Sequence, residues 1–381
     1  MEQAQGVFED KIIVANSAAT TGIFATTGDP LNAGIRAYFD MVNAGGGIDG
    51  RRLVFLHEDD AYEPSRARAA LHRFMQERKV FAYVGHFGAP AVQATLADIH
   101  ASGMPVVYFA TGIGELYKEK AETAMDGACC FPIQPIYITE GRVMVARAVG
   151  NFGARSIGVI QTMDDTGKDL GAGVKMACEK LDLPCEIFQI WADAWDADRA
   201  AEGIKARQPD FVIVAAAQAA APEIIRTLAA HHVRIPVFTT YLNMVLTLAQ
   251  QILPVTEGMF PVYASGWLNY EEERGKNLEA ASEWLGDYAM NTYAHCGWIG
   301  AHFLCEGLRR LKGHAVTWES FREAMEERPI MNPFGGMIDY ARGRRLGTQE
   351  MSMWKLDGKA LIGWKEVDGL RSIGEILRGI A

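Results

Sequence analysis

Short apolar runs alternate with segments of helical periodicity along most of the chain. The first run, Ile12–Ala15, is typical of a strand buried on both faces, and a loop over Ser17–Asp29 is expected after it. Apolar residues then recur from Leu31 to Val42 with the 3.6-residue period of a helix. Gly45–Gly47 is expected to end that helix, and Leu53–Leu56 is predicted as the next strand. These segments make a β-α-β unit, whose crossover is right-handed in nearly all proteins.

The same alternation continues to about residue 240 and predicts an α/β fold. The further predicted strands are Phe81–Val84, Met104–Phe109, Ile157–Gln161, Cys185–Ile190, Phe211–Ala215 and Val237–Thr240. The predicted helices are Glu63–Glu77, Ala91–Ala101, Tyr137–Phe152, Leu170–Leu181, Asp196–Ala206 and Ala221–His231.

The pattern changes after Gly258 and becomes richer in helix. The predicted elements of this last part are the helices Asn277–Tyr288, Tyr293–Leu311 and Trp318–Glu327 and the strands Met259–Tyr263, Gly335–Tyr340 and Met351–Lys355. This part is too short for a third α/β lobe, so we expect it to complete the two that precede it.

The length of 381 residues exceeds what one compact core holds, so two domains are expected. The βα rhythm restarts near residue 157, which predicts two similar α/β lobes with a cleft between them. Residues 1–133 with 262–341 are predicted to form lobe 1, and residues 134–261 with 342–381 to form lobe 2. The chain then crosses between the lobes three times, and such parallel crossings make a hinge.

Charge and hydropathy exclude several classes of function. A net charge of −10 argues against a nucleic-acid binder and against a surface that rests on anionic lipid. No stretch approaches the roughly 20 apolar residues of a membrane helix. The first residues lack a signal-peptide pattern, although removal of a signal would leave the same start. Cys178 and Cys185 flank a predicted helix-to-strand turn and could pair in an oxidising compartment.

Several motifs allow both a functional and a structural interpretation. The Gly45-x-Gly47-x-x-Gly50 spacing matches a dinucleotide loop, but it follows a helix and precedes a strand, the reverse of the required order. The pairs Asp59–Asp60 and Asp164–Asp165 suit either metal binding or a strand end beside a helix N-terminus, and the second is favoured. His231–His232 is expected at a solvated helix end, and His86 suits core packing and the site equally.

The segment Asn43–Gly50, the strand after it, Asp59–Asp60 and Pro64 together resemble the periplasmic leucine/isoleucine/valine-binding proteins, type I solute-binding proteins of ABC transporters. Further stretches support the resemblance, namely Thr26–Asp29, Tyr83–His86, Met104–Pro105 and a late hairpin over Gly335–Gly347. The resemblance implies two Rossmann-like lobes joined by three hinge crossings, a ligand cleft and no catalysis. It also implies a periplasmic location, after removal of a signal, and delivery of a solute to the permease subunits of an importer. The sequence has no zinc-ligand spacing, and no cofactor or metal is expected.

The resemblance also places ligand-binding residues on the loops that follow the strands. These residues are Phe24, Thr27, Phe87, Gly88, Ala89, Ala110, Thr111, Gly112, Thr166, Gln218, Tyr241 and Tyr293. Ala89 stands where relatives bind the ligand carboxylate with a serine. Tyr241 stands near the place of an acid that binds the ligand ammonium, and Tyr293 suits core packing nearly as well as ligand contact.

The departure at Tyr241 bears on the ligand. An ammonium buried without a counter-charge is costly, so a plain α-amino acid is disfavoured. Aromatic side chains with hydroxyl and amide donors instead favour an aromatic or short organic acid, or an amide. Loop N–H groups and Thr111 could hold its carboxylate. A cytoplasmic ligand sensor of the same fold remains an alternative, whereas an enzyme is disfavoured because no nucleophile, phosphate-loop or zinc motif occurs.

Overall fold

The computed structural model describes residues 3–191, 196–217, 219–269, 273–360 and 362–379. At residues 23 and 273–275 it describes the backbone only. The chain forms two compact units. Unit 1 comprises Met1–Gln134 and Tyr270–Thr348, and unit 2 comprises Pro135–Asn269 and Gln349–Ala381.

Most strands are short and contain buried apolar residues. In chain order they are β1 (Lys11–Ala18), β2 (Arg52–Asp59), β3 (Ala82–Phe87), β4 (Val106–Ala110), β5 (Cys130–Phe131), β6 (Ile157–Thr162), β7 (Cys185–Ile190), β8 (Phe211–Ala215), β9 (Val237–Thr239), β10 (Val262–Gly266), β11 (Ile330–Met331), β12 (Met337–Ile338), β13 (Glu350–Leu356) and β14 (Trp364–Ser372). The central strands β3, β6 and β8 are buried along their whole length, as strands covered on both faces should be.

Helices alternate with these strands. They are α1 (Ala25–Ala44), α2 (Pro64–Gln76), α3 (Ala89–Ser102), α4 (Tyr137–Phe152), α5 (Asp165–Lys180), α6 (Ala197–Arg207), α7 (Ala220–Ala230), α8 (Leu246–Thr256), α9 (Glu273–Leu285), α10 (Thr292–Arg310), α11 (Trp318–Glu327) and α12 (Ile373–Arg378). Within the described residues, none of them combines the length and the apolar character that crossing a membrane requires.

Unit 1 is built on a parallel sheet with the strand order β2-β1-β3-β4-β5. Helices α1 and α10 pack so closely that a Cβ at Gly34 would lie only 1.9 Å from the carbonyl oxygen of Ala294. The absence of a side chain at Gly34 therefore permits this contact. The short strands β11 and β12 pair as a separate antiparallel hairpin.

Unit 2 has a sheet with the order β14-β13-β10-β9-β8-β6-β7. Strands β6 to β10 are parallel, whereas β13 runs antiparallel to both of its neighbours. Arg147 of α4 is buried and ties the late strands to this unit. Its guanidinium donates to Asp368 and, at 3.2 Å, to the carbonyl oxygen of Met351.

The predicted strands lie within a few residues of those observed up to β9, but two helices begin at least five residues earlier than predicted. Helix α1 begins at Ala25, not Leu31, so much of the predicted loop is helical. Hydroxyl, glycine and proline residues favour loops, but burial of Thr27 and Pro30 in the unit overrides that preference. Helix α5 begins at Asp165, not Leu170.

The last third departs further from the prediction. The strand predicted over Met259–Tyr263 lies at β10, and the strand predicted over Gly335–Tyr340 shrinks to the two residues of β12. Helix α8 was not predicted. Its buried residues Leu248, Ala249, Ile252 and Thr256 recur at helical spacing, but Pro254 lies inside it.

The later two of the three predicted domain boundaries shift by several residues. Residues 262–269 belong to unit 2, because β10 pairs with β9 on one side and β13 on the other. Residues 342–348 belong to unit 1, where Arg345 is fully buried. The Arg345 guanidinium donates to the carbonyl oxygen of Ala128 at 2.6 Å and to Glu326 at 2.5 Å. These contacts connect distant parts of the chain, so local sequence patterns do not reveal them.

The six cysteines are free thiols. The thiols of Cys178 and Cys185 hydrogen-bond to each other, and this bond raises the pKa of Cys178 and lowers that of Cys185. The two thiols are therefore neighbours but are not bridged in the structure, and a disulfide between them in an oxidising compartment stays a prediction.

Candidate functional site

The carboxyl ends of parallel strands meet at one edge of each sheet, where α/β proteins bind ligands. In unit 1, β1 lies between β2 and β3, so the strand order reverses beside β1. In unit 2, the order reverses beside β6, which lies between β7 and β8. Nearly all of the predicted site residues lie in loops or first helical turns at these edges.

Three aromatic rings meet at the unit 1 edge. Phe24 stacks on Tyr62 with ring centroids 3.8 Å apart and an angle of 22° between the planes. Phe87, at the end of β3, lies 6.4 Å from Phe24 and 5.8 Å from Tyr62. We call Phe24, Tyr62 and Phe87 the unit 1 aromatic cluster. The structure thus brings together two of the predicted residues and adds Tyr62, which was not predicted.

The Tyr62 ring of this cluster leaves no room for a side chain at Gly88. Its φ of +90° lies in the region that favours glycine, and a Cβ there would come within 2.5 Å of a Tyr62 ring carbon. Ala89 follows as the first residue of α3 and is buried. Neither residue supplies a side-chain hydroxyl, so this loop has backbone N–H groups where relatives are expected to have a serine.

The loop after β4 contains a buried hydroxyl. Ala110 ends β4, and Thr111 and Gly112 follow it, both buried. The Thr111 side chain is 1% exposed, and its Oγ1 has no hydrogen-bond partner within the part of the chain that the structure describes. A buried hydroxyl without a partner is costly. A contact of Thr111 with a polar ligand atom stays a prediction.

Two further predicted residues of unit 1 lie in helices. Thr27 is buried in the first turn of α1, so it does not lie in a loop. Tyr293 is the second residue of α10 and is half-buried, and its N–H donates to Asn291 Oδ1 at 2.9 Å. A ligand contact by either residue stays a prediction.

The Asp59–Asp60 pair accepts hydrogen bonds from the backbone around it. Asp59 Oδ1 accepts from the N–H groups of Thr20 at 2.9 Å and Ala61 at 3.0 Å, and Asp59 Oδ2 accepts from the Thr21 hydroxyl at 2.6 Å. Burial opposes ionisation of Asp59, but these hydrogen bonds outweigh it and lower its pKa to about 2. Asp60 is 1% exposed and accepts from the Tyr62 N–H at 2.9 Å, and burial raises its pKa. This supports the strand-end interpretation over metal binding.

His86 belongs to the core. It is fully buried, its Nε2 lies 2.7 Å from Thr95 Oγ1, and its ring packs edge-on against Tyr83. Burial lowers its pKa to about 4, so the imidazole is neutral at pH 7. Of the two interpretations left open by the sequence, the structure favours core packing.

The Gly45–Gly50 segment is a turn between α1 and β2. The N–H and C=O groups of Ile48 and Arg51 bond to each other at 2.9 and 3.0 Å. A helix precedes it and a strand follows it, so it does not have the strand-to-helix context of a phosphate loop.

A second set of aromatic rings surrounds Tyr241 in unit 2. Tyr241 is buried just after β9, and its ring centroid lies 6.2 Å from that of Tyr137 and 6.4 Å from that of Trp267. We call Tyr137, Tyr241 and Trp267 the unit 2 aromatic cluster. The Tyr241 hydroxyl donates to the carbonyl oxygen of Pro135 at 3.0 Å, so it helps to fix the start of the unit.

A buried acid lies directly beneath Tyr241, which corrects the expectation that none would be near. Glu140 of α4 is fully buried, and its Oε1 accepts from the Tyr241 N–H at 2.8 Å. Its Oε2 accepts from the Thr240 hydroxyl at 2.8 Å. Burial raises the Glu140 pKa to about 8 and outweighs these hydrogen bonds, so the group is mainly uncharged at pH 7. An acid is present, but it is fully buried and both of its oxygens are hydrogen-bonded to Thr240 and Tyr241.

The other predicted residues of unit 2 that the structure describes lie at helix ends. Thr166 is half-buried in the first turn of α5. Asp164 caps that helix by accepting from the Gly167 N–H at 2.8 Å, which supports a structural role. His231 follows α7 and pairs with Asp198 at 2.7 Å. Gln218, predicted to contact the ligand, lies outside the described residues.

Sequence reasoning missed Tyr62, Glu140, Tyr137 and Trp267. A signal for Glu140 was present, because Tyr137, Glu140 and Met144 share one face of a helix that is otherwise apolar there. An acid on an apolar face is a candidate for a buried function. For Tyr62, the signal was its position two residues after a strand-end aspartate, where an Asp side chain often bonds the backbone.

Known proteins resemble the chain over part or all of its length. A family profile described as "Periplasmic binding protein" matches residues 11–360. An amino acid binding protein of Pseudomonas aeruginosa is 26% identical over 183 residues, which are 47% of this chain and 46% of that protein. The match thus spans about half the length of this curated relative.

Solved structures share the fold over nearly the whole chain. A branched-chain amino acid ABC transporter protein from Thermus thermophilus, with bound valine, has a TM-score of 0.82 at 14% identity and covers 98% of this chain and 99% of its own. A solute-binding protein of an ABC transporter from R. palustris, in complex with benzoate, has a TM-score of 0.79 at 17% identity and covers 95% of this chain and 96% of its own. Together with the profile match, these similarities show that the chain belongs to the periplasmic binding protein family, in its type I α/β form.

Proposed function

We propose that the protein is the extracytoplasmic solute-binding component of an ABC importer. Its solute is a small organic acid with an aromatic or short apolar body, held by the post-strand loops of both units. Closure of the hinge around this solute presents the protein to the permease subunits. Closure follows from the higher affinity of the solute for the closed state than for the open state.

The unit 1 and unit 2 aromatic clusters carry this proposal. Each lies where parallel strands end, and aromatic walls with a few polar groups are the usual composition of a small-molecule site. The buried Thr111 hydroxyl supplies a hydrogen-bond donor without adding a charge. These groups favour a solute with an apolar body and a polar end.

The electrostatics of Glu140 favour an acid over an amino acid. Because its pKa is raised to about 8, the carboxyl group carries little charge at pH 7. Glu140 is also fully buried, with its two oxygens bonded to Thr240 and Tyr241, so an ammonium group in the site would lose hydration without direct contact with this counter-charge. Benzoate, the ligand in the R. palustris protein, has no ammonium group and is therefore the first probe.

Calorimetric titration of benzoate, valine and acetamide tests the ligand class. We expect benzoate to bind more tightly than valine, and a protein that binds valine far more tightly contradicts the argument from charge. Thr111→Val keeps the side-chain shape and should weaken benzoate binding by about tenfold, the equivalent of one hydrogen bond. Thr256→Val is the matched control, because that buried hydroxyl donates to the Ile252 carbonyl oxygen at 3.0 Å inside α8.

A further inference from the structure

Two consecutive residues of unit 1 adopt an unfavourable backbone conformation beside the unit 1 aromatic cluster. Ala61 has a φ of +50° and Tyr62 a φ of +66°. Residues with a Cβ rarely adopt such angles, and a bulky aromatic residue does so less readily than glycine. Strain of this kind persists only where the surrounding structure imposes it, and it concentrates at functional sites.

The two strand-end aspartates impose this conformation. Asp59 accepts from the Ala61 N–H and Asp60 from the Tyr62 N–H, so each left-handed residue has its own carboxylate acceptor. Asp59 also accepts from Thr20 and Thr21, which lie in the segment that leads to Phe24. A single carboxylate therefore joins the two loops whose aromatic rings stack.

The result is a fixed position for the Tyr62 ring. One face stacks on Phe24, and the ring edge fills the space beside Gly88 that a side chain would otherwise occupy. Phe24 and Tyr62 are both half-buried, so part of the pair remains accessible. The pair lies at the edge where the order of the unit 1 strands reverses.

We propose that Tyr62 is a specificity-determining residue of the solute site, selecting a planar ring over an aliphatic body of similar size, and that Asp59 and Asp60 are positioning residues that hold it. This inference rests on the proposed function, because it concerns the same site. Stacking against a fixed aromatic face favours a flat ring, whereas a puckered ring makes poorer contact with that face.

The test is the affinity of the full chain for benzoate and for cyclohexanecarboxylate, two acids that differ in ring flatness. We expect the native protein to prefer benzoate. Tyr62→Ala should weaken benzoate binding by about tenfold or more and reduce the preference, whereas Tyr62→Phe should stay within about threefold of the native affinity. Phe8→Ala is the matched control, because Phe8 is 46% exposed and precedes β1, at the opposite edge of the same sheet.

The positioning roles need a readout beyond affinity. Asp59→Ala should change the near-ultraviolet circular dichroism of the stacked tyrosine and weaken benzoate binding. Asp59→Asn, which keeps an oxygen acceptor for the Ala61 and Thr20 N–H groups, should restore much of both. Asp60→Ala removes the acceptor of the Tyr62 N–H and should likewise change the circular dichroism and weaken benzoate binding. Asp60→Asn keeps an oxygen acceptor and should restore much of both. Equal effects of the alanine and asparagine variants would overturn the positioning roles.

The two possible failures are distinguishable. If the native protein binds benzoate and Tyr62→Ala, still folded by its thermal transition, binds it within about twofold, the specificity role is wrong and the proposed function stands. If the native protein binds neither acid at millimolar concentrations, the proposed ligand class is wrong, and the role of Tyr62 in selecting it is wrong too.

Discussion

The site loops of the two units are fixed by carboxyl groups in opposite electrostatic states. In unit 1, Asp59 joins the loops of Phe24 and Tyr62, and hydrogen bonds lower its pKa to about 2. In unit 2, Glu140 holds the Tyr241 loop from within the core, and burial raises its pKa to about 8. The first carboxylate is partly exposed and lies between 2 and 39 residues from its partners, whereas the second is fully buried and lies 100 and 101 residues from its partners.

This difference shows that the same task, fixing an aromatic side chain at a sheet edge, has two physical solutions. The unit 1 loop depends on a charge whose hydrogen bonds offset its desolvation. The unit 2 loop depends on a group that is kept mainly neutral and satisfies donors that would otherwise be buried without a partner. The two units should therefore respond differently to mutation and to pH.

The largest expected effect is the removal of the Glu140 carboxyl group. Glu140→Ala leaves the Thr240 hydroxyl and the Tyr241 N–H without their acceptor inside the core and should lower the free energy of unfolding by about 2–5 kcal/mol. Asp59→Ala exposes its donors to water and should cost about 1–2 kcal/mol. Urea unfolding measures both, with Glu179→Ala as an exposed control. A smaller cost at Glu140 than at Asp59 would remove the contrast between the units.

The pH dependence of stability should separate the two carboxyl groups by sign. The Glu140 pKa is about 8 in the folded protein and 4.5 as an unperturbed group, so the folded state retains a proton that the unfolded state has lost. Stability from this group therefore falls as the pH rises from about 4.5 to about 8. Glu140→Gln should flatten the dependence of the unfolding midpoint over this interval. An unchanged slope would show that Glu140 is not held neutral.

Asp59 should act in the opposite direction and at lower pH. Its pKa is about 2 in the folded protein against an ordinary 3.8, so its stabilisation is complete above 3.8 and is lost as the pH falls towards about 2. Asp59→Asn should make the acid limb of the stability curve less steep. We expect Asp59→Asn to alter only this acid limb and Glu140→Gln to alter only the part of the stability curve above pH 4.5.

The smallest expected effect concerns the Tyr241 hydroxyl. It donates to the Pro135 carbonyl oxygen, so Tyr241→Phe should lower the free energy of unfolding by about 0.5–1.5 kcal/mol and leave the affinity for benzoate unchanged. Paired calorimetry and urea unfolding check this. A large loss of affinity at full stability would show that the hydroxyl contacts the solute.

Much of the fold could be predicted because buried parallel strands leave a local signal. The runs at Ile157–Gln161 and Phe211–Ala215 are apolar throughout and become β6 and β8. The start of α1 could not be predicted, because residues 25–30 favour a loop by composition and are helical only through burial. Segments 262–269 and 342–348 join their units through strand pairing and a buried arginine, which no local pattern records.

The candidate site was predicted less completely, because its residues depend on contacts between distant positions. Phe24 and Phe87 were predicted from their places after strands, and the structure brings them together. Tyr62 joins them only because two aspartates hold it in a left-handed turn. Glu140 meets Tyr241 across 101 residues of sequence, and an acid within a helix is more often on a solvated face.

The most direct test of the proposed function is the benzoate affinity of Tyr62→Ala and Tyr241→Ala, measured by calorimetry against the native protein. If loops of both units hold the solute, each substitution should weaken binding by about tenfold or more, since each removes an aromatic contact. Unchanged affinity of Tyr241→Ala, with its fold intact, would show that unit 2 does not contribute to the site and would contradict a solute held by both units. For unit 1 the same conclusion requires unchanged affinity of both Tyr62→Ala and Thr111→Val.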